Sequence, residues 1–156
     1  MRRFLVLGLA MVMAVVLAIP ASAEPPAEFD MDAISQVTDG VVVDAPFESN
    51  LPGCTNGTFS SSGNGAGSPI YQHTGVTHRR IDYAFDCGEG GFVIRMIATF
   101  GPGYGEPSTG NWRVTSSWGD LAGLHAQGTV EGYGVTPCDY DLCVNDIYTG
   151  RYHFAP

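Results

Sequence analysis

From residue 79 onward apolar and polar side chains alternate. Arg79, Ile81, Tyr83, Phe85 and Cys87 fall on one face of an extended segment, and Arg80, Asp82, Ala84 and Asp86 on the other. Period two with one apolar face marks a half-buried antiparallel strand. Gly88-Glu89-Gly90-Gly91 then reverses the chain, and Phe92, Ile94, Met96, Ala98 and Phe100 form the next apolar face. Trp112, Val114, Ser116 and Trp118 make a third. The tight turn Gly119-Asp120-Leu121-Ala122-Gly123 leads into a fourth, Leu124, Ala126, Gly128 and Val130. Residues 132–145 read as a long connection, and Tyr148, Gly150, Tyr152 and Phe154 as the inner face of a last strand over 146–154.

Upstream the pattern is weaker. Val41-Val42-Val43 is strongly β-forming, and Cys54 to Ser60 and Ile70 to His73 read as strands. Pro25-Pro26 argues for an extended leader over 24–39, in which Phe29 to Val37 fits a helical turn or an irregular strand. Ser60 to Pro69 and Gly101 to Gly110 are Gly- and Ser-rich loops with little apolar surface to bury. No stretch beyond residue 23 carries a convincing 3.6-residue period. About seven or eight strands at steady spacing predict an all-β fold, a sandwich or a barrel. Closure leaves no exposed edge, which favours a single antiparallel barrel of about eight strands.

The first 23 residues stand apart. Arg2 and Arg3 precede an apolar run from Phe4 to Ile19, and Ala21-Ser22-Ala23 is an A-x-A cleavage signature. The run is shorter than the roughly 20 residues that a bilayer core requires. The expected organisation is a signal peptide over 1–23, a leader over 24–39 and one barrel domain over 40–156, exported and extracellular.

Charge then narrows the partners. Beyond the signal peptide five arginines face sixteen acidic residues, and there is no Lys. Such a surface repels phosphate backbones and anionic lipid, which disfavours nucleic acid and, after cleavage, the membrane. All four cysteines lie in the exported part, and in an oxidising compartment they read as two disulfides. Three pairings are open. Closing the short loop Cys138–Cys143 on itself is the natural one, leaving Cys54 with Cys87. A zinc site is the rival, but no C-x2-C pair supports it.

Candidate chemistry is sparse. Asp139, Asp141, Asn145 and Asp146 put oxygen ligands close together, as calcium prefers, without the regular D-x-D-x-D-G spacing. A solvated acidic turn is the simpler reading, and no cofactor is implied. His73, His78, His125 and His153 read as surface residues. There is no G-x-S-x-G elbow. The glycine loop 60–69 lacks both the following helix and the Lys of a phosphate cradle.

Two stretches carry a resemblance. Trp112 to Val130, W-R-V-T-S-S-W-G-D-L-A-G-L-H-A-Q-G-T-V, and Asp146 to Phe154, D-I-Y-T-G-R-Y-H-F, resemble small secreted bacterial proteins related to the allene-oxide-cyclase-like barrels. The resemblance covers residues 79–156 and implies an eight-stranded antiparallel, lipocalin-like barrel. Its members include plant cyclases acting on unsaturated fatty-acid epoxides. No cyclase catalytic residue matches a position here, so the activity is not carried over, and the cysteine staples depart from the pattern.

A barrel of about eight strands is either filled by its own side chains or holds one small ligand. Tyr83, Phe85, Phe92, Met96, Trp112, Trp118, Tyr148 and Tyr152 are the candidates for lining such a ligand. The expected role is a non-catalytic binding module for a small apolar ligand or a surface partner. The alternative is a cyclase or isomerase working inside the barrel. A site is expected beside the 119–123 turn, in the loops 60–68 and 101–110, and inside the barrel mouth they cover.

Overall fold

The computed structural model describes residues 25–62, 68–73, 75–101 and 106–155; for 68–73 it describes the backbone only. The expected signal peptide and the centres of the loops 60–69 and 101–110 lie outside the described residues. Among the described residues ten strands form without a helix: β1 (Ala27–Thr38), β2 (Val41–Val42), β3 (Ala45–Ser49), β4 (Asn56–Ser61), β5 (Ser68–His73), β6 (Val76–Asp86), β7 (Gly90–Phe100), β8 (Ser108–Gly119), β9 (Leu124–Gly134) and β10 (Leu142–Phe154). Every pairing is antiparallel. The order β1-β3-β4-β6-β7-β8-β9-β10 closes through β10 onto β1, giving the eight-stranded barrel. Short β2 and β5 extend the sheet beside β1 and β6.

The leader expected over 24–39 is corrected. Residues 27–38 are β1, which pairs with β10 from Ala27↔Tyr152 to Val37↔Leu142 and so closes the barrel. Phe29, Met31, Ala33 and Ser35 are buried at alternate positions, while Asp30 and Asp32 face out. Asp39-Gly40, both at positive φ, turns β1 back into β2, the conformation an Asp-Gly hairpin turn requires. The connection expected over 132–145 is shorter too: β9 runs to Gly134 and β10 starts at Leu142.

The two disulfides are Cys54–Cys87 and Cys138–Cys143. They consume all four thiols, which removes the zinc alternative, and they fit an oxidising compartment.

The barrel is filled from one end. There Leu121, from the 119–123 turn, is buried against Gly53, in the same apolar cluster as Leu51 and Cys54. Above this plug the aromatic rings interlock. Phe85 stacks between Phe59 and Phe92, with centroids 5.0 and 5.1 Å away, and Phe47 meets it edge-on at 5.0 Å. Phe29, Trp112 and Tyr148 continue the contact chain at 4.9 and 5.9 Å. Burying rings of this size supplies roughly 1.5–3 kcal/mol each, and offset or edge-on pairs add about 0.5–1.5 kcal/mol.

One expected face breaks in β8. The register passes from Val93↔Ser116 to Ile94↔Val114, leaving Thr115 as an extra residue. Such a bulge exchanges the faces beyond it. Ser117 turns toward the barrel and accepts from the Leu124 N–H at 3.2 Å. Trp118, expected to line a ligand, instead lies outside at 43% exposure, over Gly91.

Candidate site at the open end of the barrel

The aromatic filling stops short of the other end. The C-terminal halves of β1 and β7 and the N-terminal halves of β6 and β10 leave a pocket of about 260 Å³ there. Its wall is mostly apolar, from Val37, Ile81, Met96, Phe100, Leu142 and Val144, with Thr77 and Arg79 on β6. The Arg79 guanidinium carbon sits 5.9 Å from the Phe100 ring centroid, which places a cation over its face.

Three polar residues complete the pocket: Asp146, Ser35 and Tyr83. Asp146 is 5% exposed. Ser35 Oγ donates to Asp146 Oδ2 at 2.6 Å. Burial raises the carboxyl from 3.8 to about 7, against the opposing pull of the Ser35 hydrogen bond. The mechanism is desolvation, which disfavours the charged form. Tyr83 and Tyr148 are pushed well above the usual phenol range, first by burial and then by the charge of Asp146, so both remain protonated donors. Tyr148 Oη donates to Met96 Sδ at 4.0 Å, beneath the pocket.

Gly132 makes room for the acid. It pairs with Asp146 across β9–β10 and with Ser108 across β8–β9. A Cβ at Gly132 would collide with Ser108 Oγ and come within 2.7 Å of Asp146 Oδ1. Only glycine leaves the carboxylate its place.

Of the residues expected to line a ligand, Tyr83 and Met96 line this pocket. Phe85, Phe92, Trp112 and Tyr148 instead belong to the packed core, and Tyr152 packs against it. The acidic calcium candidate is dispersed. Asp146 points into the barrel, Asp139 is exposed, and Asp141 Oδ2 accepts the Asp39 N–H at 2.8 Å. No group of three or more His, Cys, Asp or Glu side chains suited to a metal exists among the described residues. His125 and His153 are exposed and stacked, with centroids 5.2 Å apart. His78 Nδ1 lies 3.0 Å from Thr99 Oγ1, and the His73 side chain lies outside the described residues.

Sequence reasoning opened the last strand at Asp146 but also grouped that residue with a solvated acidic turn. The signal that corrects it was parity, because Asp146 shares the inner register of Tyr148 and Tyr152. The pocket lies in the barrel mouth, as expected, but at the end opposite the 119–123 turn. Comparison with family models, with curated proteins and with solved structures found no match.

Proposed function

We propose that this chain is an exported binding module that takes one small apolar molecule, carrying a hydrogen-bond donor, into the open end of its barrel. One observation carries the reading. The barrel is packed solid around Phe85 yet hollow where Asp146 is buried, so an acid sits at the inner end of an apolar pocket. Pockets that bind small molecules combine apolar walls with a few placed polar groups. Asp146 would accept from the donor, and Arg79 at the pocket's β6 wall would favour an acidic group at the opposite end of the ligand. Export is supported by the A-x-A signature and by the two disulfides. The eight-stranded closed barrel is consistent with an allene-oxide-cyclase-like relationship, and that relationship belongs to the same proposal.

Native mass spectrometry of the protein taken from its own culture medium tests the binding reading. The expected spectrum shows an added small-molecule mass that is lost in Val144→Trp, which fills the pocket. An added mass retained in a folded Val144→Trp protein would move the ligand elsewhere.

A second reading, cyclisation or isomerisation of the bound molecule, is favoured by the Asp146 carboxyl at about 7. A group poised near the working pH exchanges protons most effectively. Asp146→Asn separates the two. A pure binder shows no turnover in either form, and the variant loses only affinity for the ligand's donor. An enzyme binds but loses its conversion at least a hundredfold.

A further inference from the structure

The outer face of β7–β10 carries a second feature, independent of the pocket. Cross-strand register aligns Arg95, Arg113, Gln127 and Arg151 in one row. Three of the five arginines beyond the signal peptide therefore share one row on an otherwise acidic chain. The row ends on acids at both sides, Asp82 and Glu28. Arg95 is occupied: its Nε and Nη2 donate to Asp82 at 2.8 and 2.9 Å. Arg113 and Arg151 make no ion pair among the described residues.

Beside this row runs a parallel one, Ile97, Asn111 and Thr129, and a groove of about 770 Å³ lies along both. The backbone of Gly128 and Gly150 lines it between the long side chains. The groove thus presents two free guanidiniums, two amides and a hydroxyl along a path that crosses neighbouring strands. Strands lie about 4.8 Å apart, so Arg113 and Arg151, two strands apart, are separated by roughly 10 Å along it.

From this geometry we infer that the groove binds an acidic polysaccharide of the uronate class. Guanidinium forks match carboxylates bidentately. The amides and the Thr129 hydroxyl suit sugar hydroxyls. A sugar ring is about as long as one strand spacing, so carboxylates on alternate rings would reach both arginines. A nucleic acid fits worse, because its denser charge meets the surrounding acids and the groove offers no exposed aromatic ring for stacking.

Calorimetric titration of the mature protein with tetragalacturonate at low salt tests the assignment, with maltotetraose and a short single-stranded oligodeoxynucleotide as comparisons. Tetragalacturonate is expected to bind, to weaken as salt rises, and to weaken at least tenfold in Arg113→Gln/Arg151→Gln. Maltotetraose is expected not to bind. Chemical-shift mapping on the unmutated protein keeps the test independent of that variant's folding. The side-chain amides of Asn111 and Gln127 and the backbone amides of Gly128 and Gly150 should move. The assignment is overturned by absent tetragalacturonate binding, by equal binding of maltotetraose, by tighter binding of the oligonucleotide, or by shifts confined to another face.

Discussion

Asp146 is the residue on which the pocket's chemistry turns. The folded chain holds its proton more tightly than the unfolded chain, since burial raises the carboxyl from 3.8 to about 7. The resulting stabilisation is complete below about pH 4 and is lost as pH rises through 7; the full difference is about 4 kcal/mol at most. Urea unfolding should therefore show stability falling between pH 5 and 8. Asp146→Asn, which can still accept from Ser35, should flatten that fall and be the more stable protein at pH 8. A variant with the same slope as the unmutated chain would place the titrating group elsewhere. Gly132→Ala should cost about 1–3 kcal/mol by overpacking against Ser108 and Asp146, read as a lowered melting temperature. The chain spelled out the inward parity of Asp146, but burial of a lone acid has no sequence signature. It depends on Ser35, 111 residues away, arriving on the neighbouring strand.

Among the elements, β6, β7 and β9 were legible because their apolar residues alternate without interruption. β1 alternates as well, through Phe29, Met31 and Ala33, yet the acids between them and the prolines ahead of them imitate a solvated leader. Those acids are the outer face of a strand. The face exchange in β8 was not legible, because the Thr115 bulge is defined only by its partner strand β7. Staple strength is predictable from loop length. Cys54–Cys87 spans 33 residues and Cys138–Cys143 spans 5. In the chain-entropy model these are worth about 4 and about 2 kcal/mol. Cys54→Ala/Cys87→Ala should therefore lower the melting temperature clearly more than Cys138→Ala/Cys143→Ala. The reverse order would show that the loop over 138–143 is tied to the barrel by more than its own closure.

At the scale of the molecule, the described residues leave the barrel with one plugged end and one open end, and the proposed function rests on that asymmetry. The stretch from Trp112 to Val130 is the most distinctive in the chain, and its turn supplies Leu121 to the plug. Sequence pattern conveyed the all-β class and the barrel. It could not say where the filling stops, because rings stack or leave space according to registers fixed only on closure. The central claim is that the open end reads a donor on an apolar molecule. Methyl-resolved NMR titration with indole and 1-methylindole tests it most directly, since the two differ at the N–H. A hydrogen bond to a charged acceptor contributes roughly 1.5–3 kcal/mol. Indole should shift the methyls of Val37, Met96, Leu142 and Val144, leave those of Leu51 and Leu121 unmoved, and bind at least tenfold more tightly than 1-methylindole at pH 8. Equal affinity of the two, or no shift at the open end, would contradict the claim.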